Sequence, residues 1–314
     1  VLAGAAGSLA APAIAQEAWP ARPIRVIVPF APGGTSDMLA RLAAQEMGRT
    51  LGQSVVAENR PGAGGVLGTQ LALRAPADGY TLVVSGIATL VVVPALNPAA
   101  GYDPLRDFAH VGFLGGPPTA IVVTDAHPAR TLSDLVRIGR EGPPIAYGSP
   151  GAGTHAHLIG EAFAQVTGAR MEHIPYRGAG IAITDLIGGT LPAGAMTFSS
   201  AAGALRAGQV RGLAVTSARR LPGFDIPTFA ELGLPQLTAM TWFGLSGPAG
   251  MPQAIVERLN REAQAALLTP RSRERMEADH VESLPMDAAG YTRFVQAEFD
   301  KWAPIARASG ARID

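Results

Sequence analysis

Val26-Ile27-Val28-Pro29-Phe30-Ala31-Pro32-Gly33-Gly34-Thr35-Ser36-Asp37 is the stretch on which the reading of this chain turns. An apolar run meets a Pro/Gly turn, and a helical pattern begins at once. The helix is predicted over residues 36–51, with apolar Leu39, Ala43, Met47 and Leu51 on one face. Gly52 follows as a stop signal. A strand, a glycine turn and a helix start aim free backbone N–H groups at one point, a geometry that binds anions. Glycine keeps the approach to that backbone open. The stretch therefore predicts an anion site built mostly of main chain.

Composition narrows the class. The 314 residues suffice for two lobes and a sizeable core. Charged residues make up 16%, and 25 Lys+Arg balance 25 Asp+Glu, so no electrostatic footprint for nucleic acid or anionic lipid exists. Cysteine is absent, which removes disulfides, thiolate metal sites and a Cys nucleophile, and suits an oxidising compartment. Lys301 is the only lysine, in a C-terminal amphipathic segment far from any glycine loop. That removes a Walker-type phosphate loop and disfavours Schiff-base chemistry. Gly62-Ala63-Gly64-Gly65-Val66-Leu67-Gly68 lacks the G-x-G-x-x-G spacing of a dinucleotide loop, and no G-x-S-x-G elbow occurs. An enzyme is not expected, nor a cofactor or a metal.

Val1 to Ala18 is apolar and rich in small residues. It reads as the remainder of a secretory signal, residues 1–15, with Ala13-Ile14-Ala15 as the cleavage pattern before Gln16. No later stretch approaches about 18 uninterrupted apolar residues. An exported, soluble, periplasmic protein is expected.

Strands and helices alternate along the chain, which predicts parallel sheets. The first unit reads as strand 24–29, helix 36–51, strand 54–58, helix 67–75 and strand 81–85. Asn97 to Pro104 is a linker by composition, and a second unit follows with strands 111–115 and 120–124 and helix 132–140. Strand 144–147, the glycine loop 148–153 and helix 155–166 then repeat the opening arrangement. After strand 212–216, a second linker is predicted at residues 221–227. Three tail helices, 252–268, 270–279 and 288–309, are placed back on the first lobe. Lobe 1 thus comprises residues 16–101 and 226–314, and lobe 2 residues 102–225.

The motif Pro29 to Asp37 resembles the signature of Bug-type solute-binding proteins, the extracytoplasmic receptors of tripartite tricarboxylate transporters. Further matches run in order: Glu58-Asn59-Arg60-Pro61-Gly62-Ala63-Gly64-Gly65, Asp78-Gly79-Tyr80-Thr81-Leu82, Tyr102-Asp103-Pro104, Gly153-Thr154, His157-Leu158, Pro175-Tyr176-Arg177-Gly178, Asp185 to Gly189, Leu213 to Ser217 and Trp242 to Leu245. The resemblance implies a type II periplasmic-binding-protein fold: two α/β lobes, two crossovers and a ligand cleft that closes like a flytrap. It implies a small carboxylate ligand, such as an organic acid or an acidic amino acid. It also implies delivery to membrane permease subunits by a receptor expected to be monomeric. A ligand-sensing receptor for a signalling partner would use the same cleft.

The candidate ligand residues are Phe30, Gly33, Gly34, Thr35, Ser36, Asp37, Ser85, Ser149, Gly153, Thr154, His155 and Thr197. Thr35 and Ser36 are able to cap the helix while lending a hydroxyl. Asp37 suits the helix dipole yet repels a carboxylate. It either points away, binds a ligand amine or holds the loop. His155 departs from the small polar residue usual in the family and, when charged, would pair with a carboxylate. The His155-x-His157 pair points to different helix faces, which argues against a metal. Pro192, Met196 and Phe198 give the pocket region apolar character, favouring an aromatic or hydrophobic monocarboxylate over citrate. Tyr176-Arg177 supplies either a cation or lobe surface.

Overall fold

The computed structural model describes residues 19–176 and 178–311. The expected signal remnant and Arg177 lie outside them. The chain opens with β1 (Ile24–Val28), α1 (Thr35–Leu51), β2 (Val55–Asn59), α2 (Val66–Leu73) and β3 (Thr81–Gly86). A helical run over Ala88–Val92, continued by α3 (Val93–Leu96), leads to β4 (Phe108–Gly115). Next come β5 (Thr119–Thr124), α4 (Leu132–Glu141), β6 (Ile145–Ser149) and α5 (His155–Thr167). They are followed by β7 (Met171–Pro175), α6 (Ala179–Ile187), β8 (Ala193–Thr197), α7 (Phe198–Arg206) and β9 (Val210–Val215). The chain finishes with β10 (Phe243–Pro248), α8 (Gln253–Leu267), α9 (Pro270–Ala278) and α10 (Ala288–Ala308).

Two five-stranded sheets result, ordered β2-β1-β3-β10-β4 and β7-β6-β8-β5-β9. One plan is used twice. A parallel βαβαβ unit supplies three strands. A strand from elsewhere in the chain then inserts antiparallel beside the third: β10 next to β3, and β5 next to β8. This exchange sets the relation between the sheets. Phe243 opens β10 opposite Gly86 and Gly115, the carboxyl ends of β3 and β4. Thr119 opens β5 opposite Thr197, the carboxyl end of β8. Only Gly116, Pro117 and Pro118 separate β4 from β5, a span of at most about 14 Å. The carboxyl edges of both sheets therefore face each other across the crossovers, where ligands bind in open α/β sheets.

Sequence and structure differ on the crossovers. The strand expected at 111–115 in the second unit runs from Phe108 and lies in the first sheet. The change of sheet falls at residues 116–118, not in the 97–104 linker. Residues 221–227 likewise stay with the second sheet, because Val215 bridges Thr228. The return passes through residues 239–242, where Thr241 N donates to Pro117 O at 2.9 Å and Ala239 N to Thr216 O at 2.9 Å. Pro/Gly composition marks surface loops; these crossovers are short and hydrogen-bonded to each other, so composition does not reveal them.

The elements follow local physics. α1 buries Leu39, Ala43, Met47 and Leu51 and ends at Gly52, whose φ of 67° is left-handed. Each large apolar side chain of that stripe contributes about 2 kcal/mol by leaving water. Together with Val26, Val28, Leu82, Leu245 and Leu259 it forms the core under α1 and α8. A second core joins both sheets: Ile27, Val83 and Phe113 belong to one cluster with Ile121, Tyr147, Phe163 and α10 residues Tyr291, Val295 and Trp302. α10 packs on β4 and also on α5, so it spans the two sheets.

Candidate functional site

Four strand ends open on the cleft: those of β1 and β3 in the first sheet and of β6 and β8 in the second. After β1 the chain turns through Gly33, at φ 91°, into α1. Gly34 is the N-cap and has no side chain to offer. The first helical hydrogen bond runs from Met38 N to Gly34 O, so the amides of Thr35, Ser36 and Asp37 precede it. Gly33 and Gly34 are exposed, and a Cβ at either would meet nothing within 4 Å. Thr35 is the first helical residue, not a cap; it is half-buried, and Ser36 is buried.

Asp37 is settled by geometry. Its carboxylate accepts Gly33 N at 3.0 Å, Arg41 Nε at 3.0 Å and Asn59 Nδ2 at 2.9 Å. Asn59 Nδ2 also donates to Phe30 O at 3.1 Å. Burial pushes the carboxyl pKa up, but the hydrogen bonds from Arg41, Gly33 and Asn59 outweigh that and hold it below the usual value. Asp37 thus stiffens the loop, and the amine-binding alternative loses its basis. Phe30 stands half-buried at this loop, its ring 3.5 Å from the place a Cβ on Gly65 would occupy.

A second uncapped start adjoins the first. Gly65, at φ 98°, precedes α2 without a side-chain cap. Gly65 is not among the candidate ligand residues read from the sequence, although the glycine run belongs to the ordered set of family matches. Thr89 closes the same corner: it accepts Gly86 N at 3.1 Å and lies in the first turn of the helical run after β3. Gly86 at a strand end was the available signal.

Ser85 does not reach the cleft. It is buried, and its hydroxyl lies 2.8 Å from Ser246 Oγ and 3.0 Å from Tyr291 OH. Side chains alternate along a strand, and this one falls on the α10 face. His110 completes that network through Ser246 Oγ at 3.1 Å and Pro104 O at 3.0 Å.

In the second sheet, the loop after β6 is tied largely to itself. Ser149 is buried; its hydroxyl donates to Gly151 O at 3.0 Å and meets His173 Nε2 at 2.7 Å. Gly153 N donates to His157 Nδ1 at 3.1 Å. Thr154 caps α5, accepting His157 N at 3.3 Å and donating to Gly151 O at 2.8 Å. Thus Ser149, Gly153 and Thr154 shape the loop with the groups first assigned to the ligand. The amides of His155 and Ala156 remain as the donors ahead of the first helical bond, Leu158 N to Thr154 O.

The expected cationic role for His155 is overturned. The ring is buried, with Nδ1 3.3 Å from Thr119 Oγ1 and 3.1 Å from Thr241 Oγ1. Burial, with Lys301 adding repulsion, pushes its pKa down to about 3. A neutral imidazole there links both crossovers to the start of α5. Neither crossover threonine carried a sequence signal.

Thr197 ends β8 half-buried and is the N-cap of α7. Met196 and Phe198 beside it are fully buried in a core with Ala120, Leu186 and Val215. Pro192 stands before β8, at the end away from the cleft. None of the three lends the cleft apolar character. Tyr176 donates to Asp185 Oδ2 at 2.7 Å on the second lobe.

Comparison with known proteins bears on the fold and the family. Protein BugT of Bordetella pertussis is 36% identical, the match covering 98% of this chain and 95% of that protein. A solved R. palustris structure with adipate has 32% identity, covers 94% of this chain and 99% of its own, and superposes with a TM-score of 0.81. MatC from Rhodopseudomonas palustris with bound malate has 30% identity, covers 92% of this chain and 100% of its own, and gives a TM-score of 0.77. The profile of the tripartite tricarboxylate transporter family receptors matches residues 39–311, and the chain belongs to that family.

Proposed function

We propose that this chain is an extracytoplasmic, periplasmic receptor for a small organic acid. It takes the acid between the two carboxyl edges, closes about the crossovers and presents it to the membrane permease subunits of a tripartite transporter. One observation carries the reading: the start of α1, capped by Gly34 alone, leaves the amides of Thr35 and Ser36 ahead of the first helical bond, next to exposed Gly33 and Gly34 with open space over both. In this reading the start of α5 faces it from the other sheet, with Phe30 and Thr197 at the sides. Two helix N-termini suit an anion carrying a carboxylate at each end. Relatives solved with adipate and with malate support a dicarboxylate. With Asp37, Met196 and Phe198 turned to other tasks, an acidic amino acid or an aromatic monocarboxylate has no specific residue in its favour.

Mass spectrometry of ligand retained through purification, followed by a thermal-shift series with that acid, tests the proposal. Ligand at 100 times its Kd stabilises the fold by about 2.7 kcal/mol. Stabilisation by NAD and by no carboxylate would overturn it.

A further inference from the structure

Beneath the second loop lies a cluster of titratable side chains that the proposed binding reaction does not itself use. His157 of α5 is buried, and its ring stacks on His173 of β7 with centroids 3.8 Å apart and planes at 18°. His157 Nδ1 accepts Gly153 N at 3.1 Å. That bond places the ring proton on Nε2, which lies 3.6 Å from Glu161 Oε1. Tyr147 OH donates to the same Glu161 oxygen at 2.7 Å. His173 Nε2 meets Ser149 Oγ at 2.7 Å, while the Ser149 hydroxyl donates to Gly151 O. Its ring also leans on Tyr147 at 5.1 Å. Glu161 from the same helix, Tyr147 from β6 and His173 from β7 are the titratable groups facing His157 among the described residues.

We propose that His157 and His173 are positioning residues that hold the 149–154 loop in its ligand-ready shape, and that this hold requires both rings to be neutral. The inference rests on the reading of that loop as one jaw of the cleft. Its physical basis is the direction of one hydrogen bond. Gly153, at φ 73°, turns its amide inward onto His157 Nδ1. A proton on Nδ1 sets N–H against N–H and removes the only acceptor for that amide. A proton on His173 places a second cation on the stack. Glu161 supplies one carboxylate, enough for one imidazolium and not for two. Burial, and repulsion once His157 carries a proton, push His173 down to about 4 although Glu161 acts upward. Acidification therefore frees Gly153, loosens residues 149–154 and weakens ligand capture. In the periplasm, where pH follows the outside, uptake becomes acid-sensitive through the protein's own loop.

The test uses wild type, His157→Asn and His157→Leu. Asn puts an acceptor near the Nδ1 position and has no titratable group; Leu has no acceptor. Two readouts are taken: hydrogen exchange of the Gly153 amide by NMR without ligand, and calorimetric titration with adipate and malate. In wild type, Gly153 protection and affinity both fall about tenfold or more from about pH 7.5 to about pH 5. In His157→Asn, protection is retained and this pH dependence is flattened. His157→Leu loses protection at both pH values. If His157→Leu fails to fold, wild type against His157→Asn still decides. Protection unchanged in His157→Leu, or an identical pH profile in His157→Asn, overturns the inference. Normal Gly153 behaviour with no binding of either acid instead contradicts the assignment of the cleft.

Discussion

Asp37 accepts the amide of Gly33 at 3.0 Å, four residues back along the chain, so the acidic residue of the first loop faces its own backbone. Arg41 and Asn59 complete the ring of donors around it. The carboxylate that would repel an anionic ligand is thereby charge-paired and used to fix the turn proposed to receive it.

Asp37→Asn is expected to weaken binding of adipate, malate and glutamate alike, because it loosens the loop rather than removing an amine partner. Loss of hydrogen bonds to a buried charge is expected to lower stability by about 1–3 kcal/mol. The sign with pH follows from the lowered folded pKa. The contribution is full above the ordinary aspartate value of 3.8 and disappears as pH falls through the lower folded value. Urea unfolding of wild type and variant across pH checks it. A selective loss of glutamate binding would return Asp37 to the cleft.

Gly34→Val separates binding from folding. Gly34 has φ −82° and open space where a side chain would start. Stability is expected to fall by about 1 kcal/mol, because Val is a poorer N-cap than Gly, while affinity for adipate falls by about two orders of magnitude or more, some 3 kcal/mol. Titration together with thermal unfolding measures both. Gly33→Ala behaves differently, since a residue with a Cβ at φ 91° is strained by about 1–2 kcal/mol.

Ser85→Ala is expected to do the reverse. It leaves Tyr291 and Ser246 with one hydrogen-bond partner fewer in the core, so stability falls by about 1–2 kcal/mol. Affinity stays at the wild-type value. A loss of affinity without a loss of stability would place Ser85 in the site.

Buried neutral histidines make the fold acid-sensitive. His110 is pushed by burial down to about 4, although the Pro104 carbonyl acts upward. The unfolded chain takes up the proton near 6.5, and the folded chain does so only near that lower value. Stability therefore falls with pH below 6.5, by up to about 1.4 kcal/mol per pH unit for this group. Glu282 and Glu298, pushed up by burial, act in the opposite sense. For that reason the difference between wild type and His110→Gln is the informative quantity. The variant's stability is expected to depend less steeply on pH between about 6.5 and about 4.5. Equal slopes would show that His110 carries a proton in the fold.

The first jaw was legible because its physics is local. A β-branched run, a glycine turn and the α1 stripe lie within residues 24–51, and β1 and α1 form there within a residue of expectation. The same holds for α5 and its closing Gly168. Strands β7, β8 and β10 escaped a pattern search because neither clean alternation nor a long apolar run marks them: Gly194, Gly244 and Gly247 interrupt the last two. The crossovers were misplaced because exchange of β5 and β10 between sheets is long-range pairing, set by registers such as Phe243 with Gly86. In the candidate site, the loops after β1 and β6 stand where the sequence pattern puts them, but the side-chain directions do not follow from that pattern. Ser85, Ser149 and His155 are polar residues near strand ends, and their partners Tyr291, His173 and Thr241 come from distant segments. Which way a short polar side chain points depends on those partners, and only the fold brings them together.

Amide chemical shifts during a titration of the labelled protein with adipate or malate report the anion site itself. The account expects the largest shifts at Gly34, Thr35 and Ser36 and, in the same titration step, at His155 and Ala156. Shifts confined to one jaw, or centred on the surface groove between residues 218–222 and 277–284, would contradict a carboxylate held between two facing helix starts.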